Sequence, residues 1–556
     1  MAIEMTTTRR FLIFFVAFVA GKGSLCCQGN PDQPGIKVLH YDFMLSIPES
    51  GRLIEGQATI TVTRSVAVDR LVLDLIGLQV DSVWVNARSA DFLRGPATLR
   101  ISLGSPVQTA PDTLLVGVRY HGEVKDGLIM QADEKGRWYA FGDNWPNRAR
   151  YWLPTVDRPD YKATVTWNVT APSDSRVIAN GELMGERRLP SEQSRGLKPR
   201  TLTQWKTSRP IPPYLMVVAV GPMASSDLGL TAPGLSEFPP GVRQTVYVVP
   251  ELADYIPGPF EKAGAIVEFF AKMVAPFPYE KLAHLQSFTR YGGMENASAI
   301  FYADNVFRSR GVTAGLIAHE TAHQWFGDAV TPMSWGHLWL SEGFATYFER
   351  LWMEKSSGVA AFRNSMKDAR DEIIRSRVIY ERPVIDTLQT DLMELLNTNS
   401  YEKGAWTLHM LRSLLGDSLF FAGIREYYSH HRHSNATSDD LCAQLEKTTH
   451  TSLRWFFDQW LRRPGIPEIT LGWTFDRDSL RLTVFVKQGS RFPAYRFPLK
   501  IEIFEPDGRN QIVTVEVPAV TSVQLAIPVN LDQPPSKLVF DPQIELLGSL
   551  KSSPSD

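Results

Sequence analysis

The stretch HETAHQWFGD, residues 319–328, contains three side chains that could hold and use a metal ion. On a helix, residues four apart lie on one face, so His319 and His323 can direct two imidazoles at a single ion. Glu320 is the next residue around the helix and is placed to act as a base rather than as a ligand. This spacing predicts a catalytic metal site of the HExxH type.

A catalytic zinc site needs a third protein ligand and an open fourth position. Glu342 follows His323 by nineteen residues and lies among aromatic side chains in WLSEGFATYF. We place it in the first turn of the next helix, where an acid in apolar surroundings is costly unless it is paired or metal-bound. The sequence therefore predicts one zinc ion per chain, held by His319, His323 and Glu342.

The chemistry of such a site is hydrolysis of an amide or ester. Zinc on two neutral imidazoles and a carboxylate activates water near neutral pH and polarises a carbonyl oxygen. Glu320 is expected to take a proton from the attacking water and to deliver it to the leaving nitrogen. The developing oxyanion needs a further donor, a phenol or an imidazole. The motif alone leaves open at which end of a peptide the reaction occurs.

A long chain must position these residues. Its 556 residues are too many for one hydrophobic core, which predicts about three or four structural units. Apolar and charged residues make up 44% and 21% of the chain, as in ordinary globular proteins. The formal net charge of -2 offers no basic face for nucleic acid. We therefore expect no nucleic-acid partner, and no obligatory protein partner is evident.

The N-terminus indicates export. A pair of arginines precedes the apolar run Phe11 to Ala20, which is too short to span a bilayer as a helix but fits a signal-peptide core. A buried element of the first domain is the alternative. We expect residues 1–27 to be a signal peptide or an N-terminal anchor, and the protein to be periplasmic or extracellular. Of three cysteines only Cys442 lies far inside, so no disulfide framework is implied.

The hydrophobic periods follow the order β, then α-rich, then β. From about residue 33 to 229, stretches such as KATVTWNVT (162–170) alternate as half-buried strands do. Proline and glycine concentrate at 230–241, which indicates a boundary. Helical spacing dominates from 313 to about 463, where Ser341 is a plausible N-cap. Alternation then returns, with one face predicted to hold Leu480, Leu482, Val484 and Val486.

Two further stretches carry a family resemblance. YGGMENASAIFY (291–302) lies upstream of HExxH, and NSYEKGAWTLHML (399–411) lies downstream. Together with the glutamate nineteen residues after the second histidine, they resemble the zinc aminopeptidases of the aminopeptidase N and leukotriene hydrolase family, within the gluzincins. The resemblance covers most of the chain, from about residue 38 to about 545.

The resemblance implies a multidomain α+β fold. We expect an N-terminal β-sandwich-like domain at 33–229, a thermolysin-like, α-rich zinc catalytic domain at 230–463, and a small C-terminal β-sandwich at 464–546. Many members carry a further large helical domain that roofs the cleft. The chain resembles a short, bacterial-like form without it, which predicts an open cleft.

The resemblance also implies roles for particular residues. Glu295 would bind the free α-amino group of a peptide, and glycines beside it permit close backbone approach. Tyr401 resembles the family's catalytic tyrosine, whose hydroxyl stabilises the oxyanion. The edge of the cleft that holds the substrate in an extended form would comprise Gly292, Gly293, Met294, Glu295 and Asn296.

One position departs from the family pattern. The family places a Glu or Gln just before Pro146 as a second clamp on the amine, and here that residue is Trp145. Asp143 is a candidate substitute, with a surface aspartate as the alternative. Asp328 could orient a zinc-bound histidine, and a surface or capping role is equally open.

The sequence therefore predicts a zinc aminopeptidase that acts on peptides with a free N-terminus. Alternatives are a thermolysin-like endopeptidase, an epoxide hydrolase as in one branch of the family, and a non-catalytic scaffold of the same fold. Such scaffolds usually lose zinc ligands. The presence of His319, His323, Glu342, Glu320 and Tyr401 argues against a scaffold.

Overall fold

A computed structural model of the chain describes residues 33–65, 68–105, 112–190, 199–255 and 257–552. The predicted signal or anchor segment, residues 1–27, lies outside these ranges. Within them, no helix is both long enough and apolar enough to cross a bilayer. Cys442 is buried as a free thiol.

The N-terminal region is built of strands. They form an eight-stranded, a four-stranded and a three-stranded sheet. The strands are β1 (Ile36–Ser46), β2 (Leu53–Arg64), β3 (Arg70–Asp74), β4 (Gln79–Val85), β5 (Arg88–Ser89), β6 (Phe92–Arg94), β7 (Thr98–Ser102), β8 (Asp112–Glu123), β9 (Leu128–Ala132), β10 (Trp138–Gly142), β11 (Thr164–Pro172), β12 (Arg176–Ala179), β13 (Glu182–Arg188), β14 (Arg200–Lys206) and β15 (Val218–Gly221). The sheet orders are β13-β14-β11-β1-β2-β8-β4-β5, β12-β15-β10-β9 and β3-β7-β6.

The period of two in β11 sets one face of this region's core. Val165, Trp167 and Val169 are buried, as the alternation predicts. Strand β11 pairs in parallel with β1, which puts Phe43 opposite Trp167. Their ring centroids lie 5.2 Å apart. Aromatic packing of this kind stabilises paired strands beyond the burial of area.

The α-rich region begins with a sheet of order β16-β17-β18-β20-β19. Its strands are β16 (Ala224–Leu230), β17 (Arg243–Val248), β18 (Leu282–Ser287), β19 (Gly293–Met294) and β20 (Ala299–Ala303), and a separate pair is formed by β21 (Val330–Pro332) and β22 (Ser434–Ala436). The segment 230–241 therefore joins two strands of one sheet, and the sheet already begins at Ala224.

Helices follow as the helical spacing predicts. They are α1 (Pro257–Phe260), α2 (Ala263–Met273), α3 (Asp304–Arg308), α4 (Ala314–His323), α5 (Trp339–Ser357), α6 (Val359–Arg375), α7 (Val378–Glu381), α8 (Gly404–Leu415), α9 (Asp417–His431), α10 (Ser438–Thr449) and α11 (Arg454–Trp460). A π-helical turn (Asn399–Lys403) precedes α8. Helix α5 already begins at Trp339 after Leu338, so the predicted N-cap role of Ser341 is wrong.

The C-terminal region returns to strands. They are β23 (Glu468–Asp476), β24 (Arg481–Gln488), β25 (Phe497–Phe504), β26 (Asn510–Val517), β27 (Ser522–Ala526), β28 (Lys537–Phe540) and β29 (Ser549–Ser552). They form sheets of order β27-β24-β23-β29 and β26-β25-β28. Leu482, Val484 and Val486 are buried as predicted, but Leu480 is 45% exposed. It lies before β24 with φ of 52°, in a turn conformation, so its predicted place on the buried face is wrong.

The multidomain α+β class is confirmed, with β-rich regions on both sides of an α-rich one. The C-terminal region is fixed to the helices by an ion pair. Arg370 of α6 lies 2.7 Å from the buried carboxylate of Asp541.

Candidate metal and active site

Two helices bring the predicted metal ligands together. Helix α4 begins where the Thr313 hydroxyl caps it, accepting a hydrogen bond from the Leu316 N–H at 3.1 Å, and carries His319 and His323 in its last turns. Their Nε2 atoms lie 3.2 Å apart. Glu342, in the first turn of α5, places Oε2 3.6 Å and 3.4 Å from these nitrogens. Two imidazoles and a carboxylate that converge in this way suit a zinc ion.

The Nδ1 atoms of the two histidines also have partners. His319 Nδ1 lies 3.3 Å from Glu349 Oε2. His323 Nδ1 lies 3.0 Å from the Ser341 hydroxyl and 3.2 Å from the Phe326 carbonyl. Such contacts fix the ring and leave Nε2 to bind a metal. The three donor atoms therefore fit a metal ion, both because they converge and because neighbouring residues fix the two imidazole rings.

The sequence patterns did not indicate that Glu349 and Ser341 contact the two histidines. A signal existed for Glu349, since it lies seven residues after Glu342 and therefore two turns along the same helix face. The sequence leaves Asp328 open as a residue that orients a zinc-bound histidine or as a surface or capping residue. It is fully buried, so the surface alternative is wrong, and its backbone N–H donates to the His323 carbonyl at 3.0 Å. Within the described ranges its carboxylate oxygens have no hydrogen-bond partner.

Glu320 lies beside the donor set with a free oxygen. It is 4% exposed, and its Oε2 has no partner among the residues that the structure describes. Burial raises the pKa of Glu320 to about 8. In contrast, although burial opposes it, His323 and His319 hold the pKa of Glu342 below its usual range. The two carboxyls therefore differ in basicity, as a base and a ligand should.

The GGMEN segment lies directly against this cluster. Strand β19 is an edge of its sheet, with Gly293 opposite Tyr302 and Met294 opposite Phe301. The next residue, Glu295, is buried, and a carboxylate oxygen of it lies within 4.8 Å of donor atoms of Glu320 and His323. Burial raises the pKa of Glu295. An edge strand and a carboxylate thus face the metal ligands together.

The rest of the predicted cleft edge adjoins this strand. The Gly292 carbonyl accepts from the Ala303 N–H at 3.2 Å, which continues the pairing with β20. Asn296 is fully buried, and both polar atoms of its side chain lack a partner in the described part of the chain. Its carbonyl accepts from the Ala299 N–H at 2.8 Å in a turn.

Tyr401 completes the cluster. It lies in the π-helical turn before α8, with its ring stacked near His319 at a centroid distance of 6.3 Å and an interplanar angle of 15°. Burial and the charges of Glu342 and Glu295 raise the pKa of the phenol well above its usual value. The hydroxyl therefore stays protonated and able to donate.

Asp143 is engaged elsewhere. It is fully buried, so the surface alternative is wrong. Its carboxylate accepts from Arg148 at 2.8 Å, Arg290 at 3.2 Å and the Thr289 hydroxyl at 3.1 Å. These contacts occupy both oxygens and tie the Asp143 loop to the segment before Gly292. They favour a structural role over amine binding.

Trp145 is buried beside the same loop. Its ring makes edge contacts with Tyr291 and Trp335, at centroid distances of 5.9 and 5.4 Å. Its carbonyl accepts from Arg148 Nε at 2.8 Å. A packed indole therefore fills the position where the resemblance leads one to expect a second amine clamp.

The N-terminal region reaches into the site at two points. Lys162 Nζ donates to the carbonyls of Asp328, Ala329 and Ser434 at 2.8, 2.9 and 3.1 Å. Asn180 Nδ2 donates to the Ala297 carbonyl at 2.7 Å. The turn after α4 and the turn after Glu295 are therefore both held by residues from outside the helical region.

Two histidines and a glutamate beside a free acid, in an α+β chain, define a metal-dependent hydrolase site. Residues 37–215 match the model of the Peptidase M1 N-terminal domain, and residues 259–460 match that of the Peptidase family M1 domain. The chain belongs to peptidase family M1.

Curated relatives agree with this placement. The chain is 23% identical to "Probable aminopeptidase 2" of Sulfurisphaera tokodaii, over 84% of the chain and 59% of that protein. It is 25% identical to "Tricorn protease-interacting factor F2" of Thermoplasma acidophilum, over 80% and 55%. With "Aminopeptidase N" of Streptomyces lividans it shares 30% identity, over 58% and 38%. The chain thus spans less than two thirds of the length of each of these relatives.

A solved structure shares the fold. The M1 zinc metallopeptidase of Deinococcus radiodurans matches with a TM-score of 0.67 and 24% identity. The match covers 77% of this chain and 94% of that one. At this identity the likeness supports the fold.

Proposed function

We propose that the protein is a zinc-dependent aminopeptidase that hydrolyses the N-terminal peptide bond of peptides. The observation that carries this proposal is the position of Glu295, a buried carboxylate at the end of an edge strand and within reach of the metal donor cluster. A cation at this point would be the free amine of a substrate. The relatives named aminopeptidase support the same activity.

His319, His323 and Glu342 hold the metal in this proposal, one zinc ion per chain. Zinc supplies a Lewis acid that activates water and polarises the scissile carbonyl. Glu349 and Ser341 keep the two imidazoles in the orientation that exposes Nε2. These residues prepare the site before any substrate binds.

Glu320 transfers the proton in this mechanism, and Tyr401 donates a hydrogen bond. Glu320, with a free oxygen and a raised pKa, accepts a proton from the attacking water and returns it to the leaving amine. Tyr401 remains protonated and donates a hydrogen bond to the oxyanion that develops on the carbonyl. The phenol of Tyr401 is therefore in the protonation state that its step requires.

Substrate recognition uses β19 and Glu295. The free edge of β19 at Gly293 holds the peptide backbone in an extended form, while Gly292, whose carbonyl pairs with β20, keeps this edge in place beside Met294 and Asn296. Glu295 binds the α-ammonium, so the first peptide bond is the one placed at the metal. Because Asp143 is bound to two arginines and Trp145 is apolar, Glu295 is the principal amine ligand.

The substrates are therefore peptides with a free N-terminus, and nucleic acid is not among the partners. The N-terminal basic and apolar pattern supports export to the periplasm or the extracellular space. Fractionation of cells that express the full chain tests this, since export predicts activity outside the cytoplasm and a shortened N-terminus.

The activity is tested with an aminoacyl peptide and its N-acetylated form. We expect hydrolysis of the free peptide and none of the acetylated one, because acetylation removes the cation that Glu295 binds. The Glu320→Gln variant should keep one zinc per chain by metal analysis and lose turnover by at least about 100-fold. Cleavage of the acetylated peptide would indicate an endopeptidase instead, and turnover of an epoxide alone would indicate the hydrolase branch.

A further inference from the structure

Gln324 lies between the metal helix and the GGMEN segment. It follows His323 directly and forms the C-terminal cap of α4. The side chain is fully buried, although it is a polar amide with two donors and two acceptor sites. A buried amide is retained only where its hydrogen bonds are made.

Both ends of this amide bind the chain that follows Met294. Nε2 donates to the carbonyl of Glu295 at 3.0 Å. Oε1 accepts from the N–H of Ser298 at 2.8 Å. One side chain therefore closes the loop from Glu295 to Ser298 and fixes it to the helix that carries two metal ligands.

The loop needs such a support. Ser298 has φ of 62°, a left-handed conformation that is unfavourable for a residue with a side chain and persists only where the surroundings hold it. Glu295 lies at the start of this loop, so a shift of the turn moves its carboxylate relative to His319 and His323. A displacement of this kind affects only ligands that bind both the metal and the Glu295 carboxylate.

We propose that Gln324 is a positioning residue that sets the distance between the metal and the carboxylate that binds the substrate amine. The inference rests on the proposed aminopeptidase function and deepens it. Both polar ends of the Gln324 side chain bind the backbone after Met294, so in this proposal it acts through Glu295. It makes the metal helix and the amine-binding segment one rigid unit, so that an N-terminal residue fits only when its carbonyl and its amine are both in place.

A second residue supplies a matched control. Lys281 Nζ donates to the carbonyls of Ser298 and Ala179, each at 2.9 Å. Lys281 therefore holds the same turn, but it ties the turn to the N-terminal region rather than to the metal helix. Gln324→Met and Lys281→Met both remove hydrogen bonds to the turn and introduce the same side chain.

Two ligands separate metal binding from amine binding. Leucine hydroxamate and 4-methylpentanohydroxamate chelate zinc with the same group and carry the same side chain, but only the first has an α-amine. The ratio of their dissociation constants, measured by calorimetry on the zinc-loaded protein, reports the contribution of the amine. We expect a ratio well above ten in the natural protein.

In Gln324→Met this ratio should fall by about tenfold, the effect of losing one well-placed interaction. The affinity for 4-methylpentanohydroxamate and the zinc content should stay unchanged. Lys281→Met should keep the natural ratio. Gln324→Glu retains the acceptor for the Ser298 N–H but not the donor to the Glu295 carbonyl. Its ratio should therefore lie between that of the natural protein and that of Gln324→Met. It also serves if Gln324→Met does not fold.

Each other outcome overturns the inference. An unchanged ratio in both Gln324 variants removes the positioning role while leaving the proposed function intact. An equal loss of affinity for both hydroxamates, or an equal fall in Lys281→Met, assigns Gln324 to general stability. A ratio near one in the natural protein overturns the amine recognition itself and with it the inference.

Discussion

Gly293 lies so close to Glu320 that no side chain fits between them. A Cβ built on Gly293 would overlap Glu320 Oε1 and stand 2.8 Å from its Cγ. A Cβ on Gly292 would meet nothing within 4 Å. Gly293 therefore leaves the space that the Glu320 carboxylate occupies, whereas a side chain at Gly292 would not touch that carboxylate.

This contrast gives a prediction for two neighbouring substitutions. Gly293→Ala should displace the Glu320 carboxylate and lower kcat by about 100-fold, the scale on which a general base contributes. Gly292→Ala should cause a much smaller loss. Steady-state kinetics on an aminoacyl amide, with metal analysis of both variants, measures the difference. Similar losses in the two variants would show that the crowding at Glu320 is not what matters.

Glu349 should govern metal affinity. Its carboxylate holds His319 Nδ1 at 3.3 Å, and loss of such a support typically lowers metal affinity by about 10- to 100-fold. We expect this fall in Glu349→Gln, measured by competition with a chelator. Glu354→Gln is the control, because Glu354 lies on the same helix but binds Arg412 at 2.9 Å. Equal zinc affinity in Glu349→Gln and the natural protein would contradict the assignment.

Tyr401 should contribute to turnover and not to binding. Removing one oxyanion donor lowers kcat by about 100- to 1,000-fold. Tyr401→Phe should show such a loss with unchanged zinc content and little change in KM. Tyr427→Phe provides the comparison, since the buried Tyr427 hydroxyl has no partner within the described ranges. A Tyr401→Phe enzyme with normal kcat would remove this residue from the mechanism.

Asp541 should make stability depend on pH. Burial raises the pKa of Asp541 to about 6, above the value of about 3.9 for an unfolded chain. The folded state therefore holds this proton more tightly, and its contribution is present at pH below about 4 and is lost as pH rises through 6. The lost contribution is on the order of 3 kcal/mol.

The comparison with Asp541→Asn isolates this effect. The variant cannot ionise, so between pH of about 4 and about 7 its free energy of unfolding should rise relative to the natural protein. Urea unfolding at several pH values measures the slope of the difference, which includes the ion pair with Arg370 because that pair forms only when Asp541 is ionised. Parallel curves for the two proteins would contradict the prediction.

The group of residues that could hold a metal was accessible from the sequence because helical spacing determines how the two histidines are related. His319 and His323 share a face of any α-helix, and an acid among aromatic residues needs a partner. Glu295 and Tyr401 came from the resemblance. The pattern of strands followed from alternation, which failed at Leu480 because a turn, not the strand, contains that residue.

The contacts that support the site could not be read in the same way. Gln324 meets Glu295 and Ser341 meets His323 only because distant segments pack together in one arrangement. The sequence left Asp143 open between a substitute amine clamp and a surface residue, because its two arginine partners are set by the path of loops. Periodicity describes one element at a time, whereas these contacts depend on how elements are placed against each other.

Lys162 has a consequence for biosynthesis. All three of its ammonium hydrogens are donated to carbonyls of Asp328, Ala329 and Ser434, which belong to segments translated much later. The N-terminal region leaves the ribosome first and can fold before the helices exist. It then presents Lys162 as a preformed hydrogen-bond donor to the turn that follows α4. A gene cut to begin at Ala224 would encode the metal ligands without this donor to their turn.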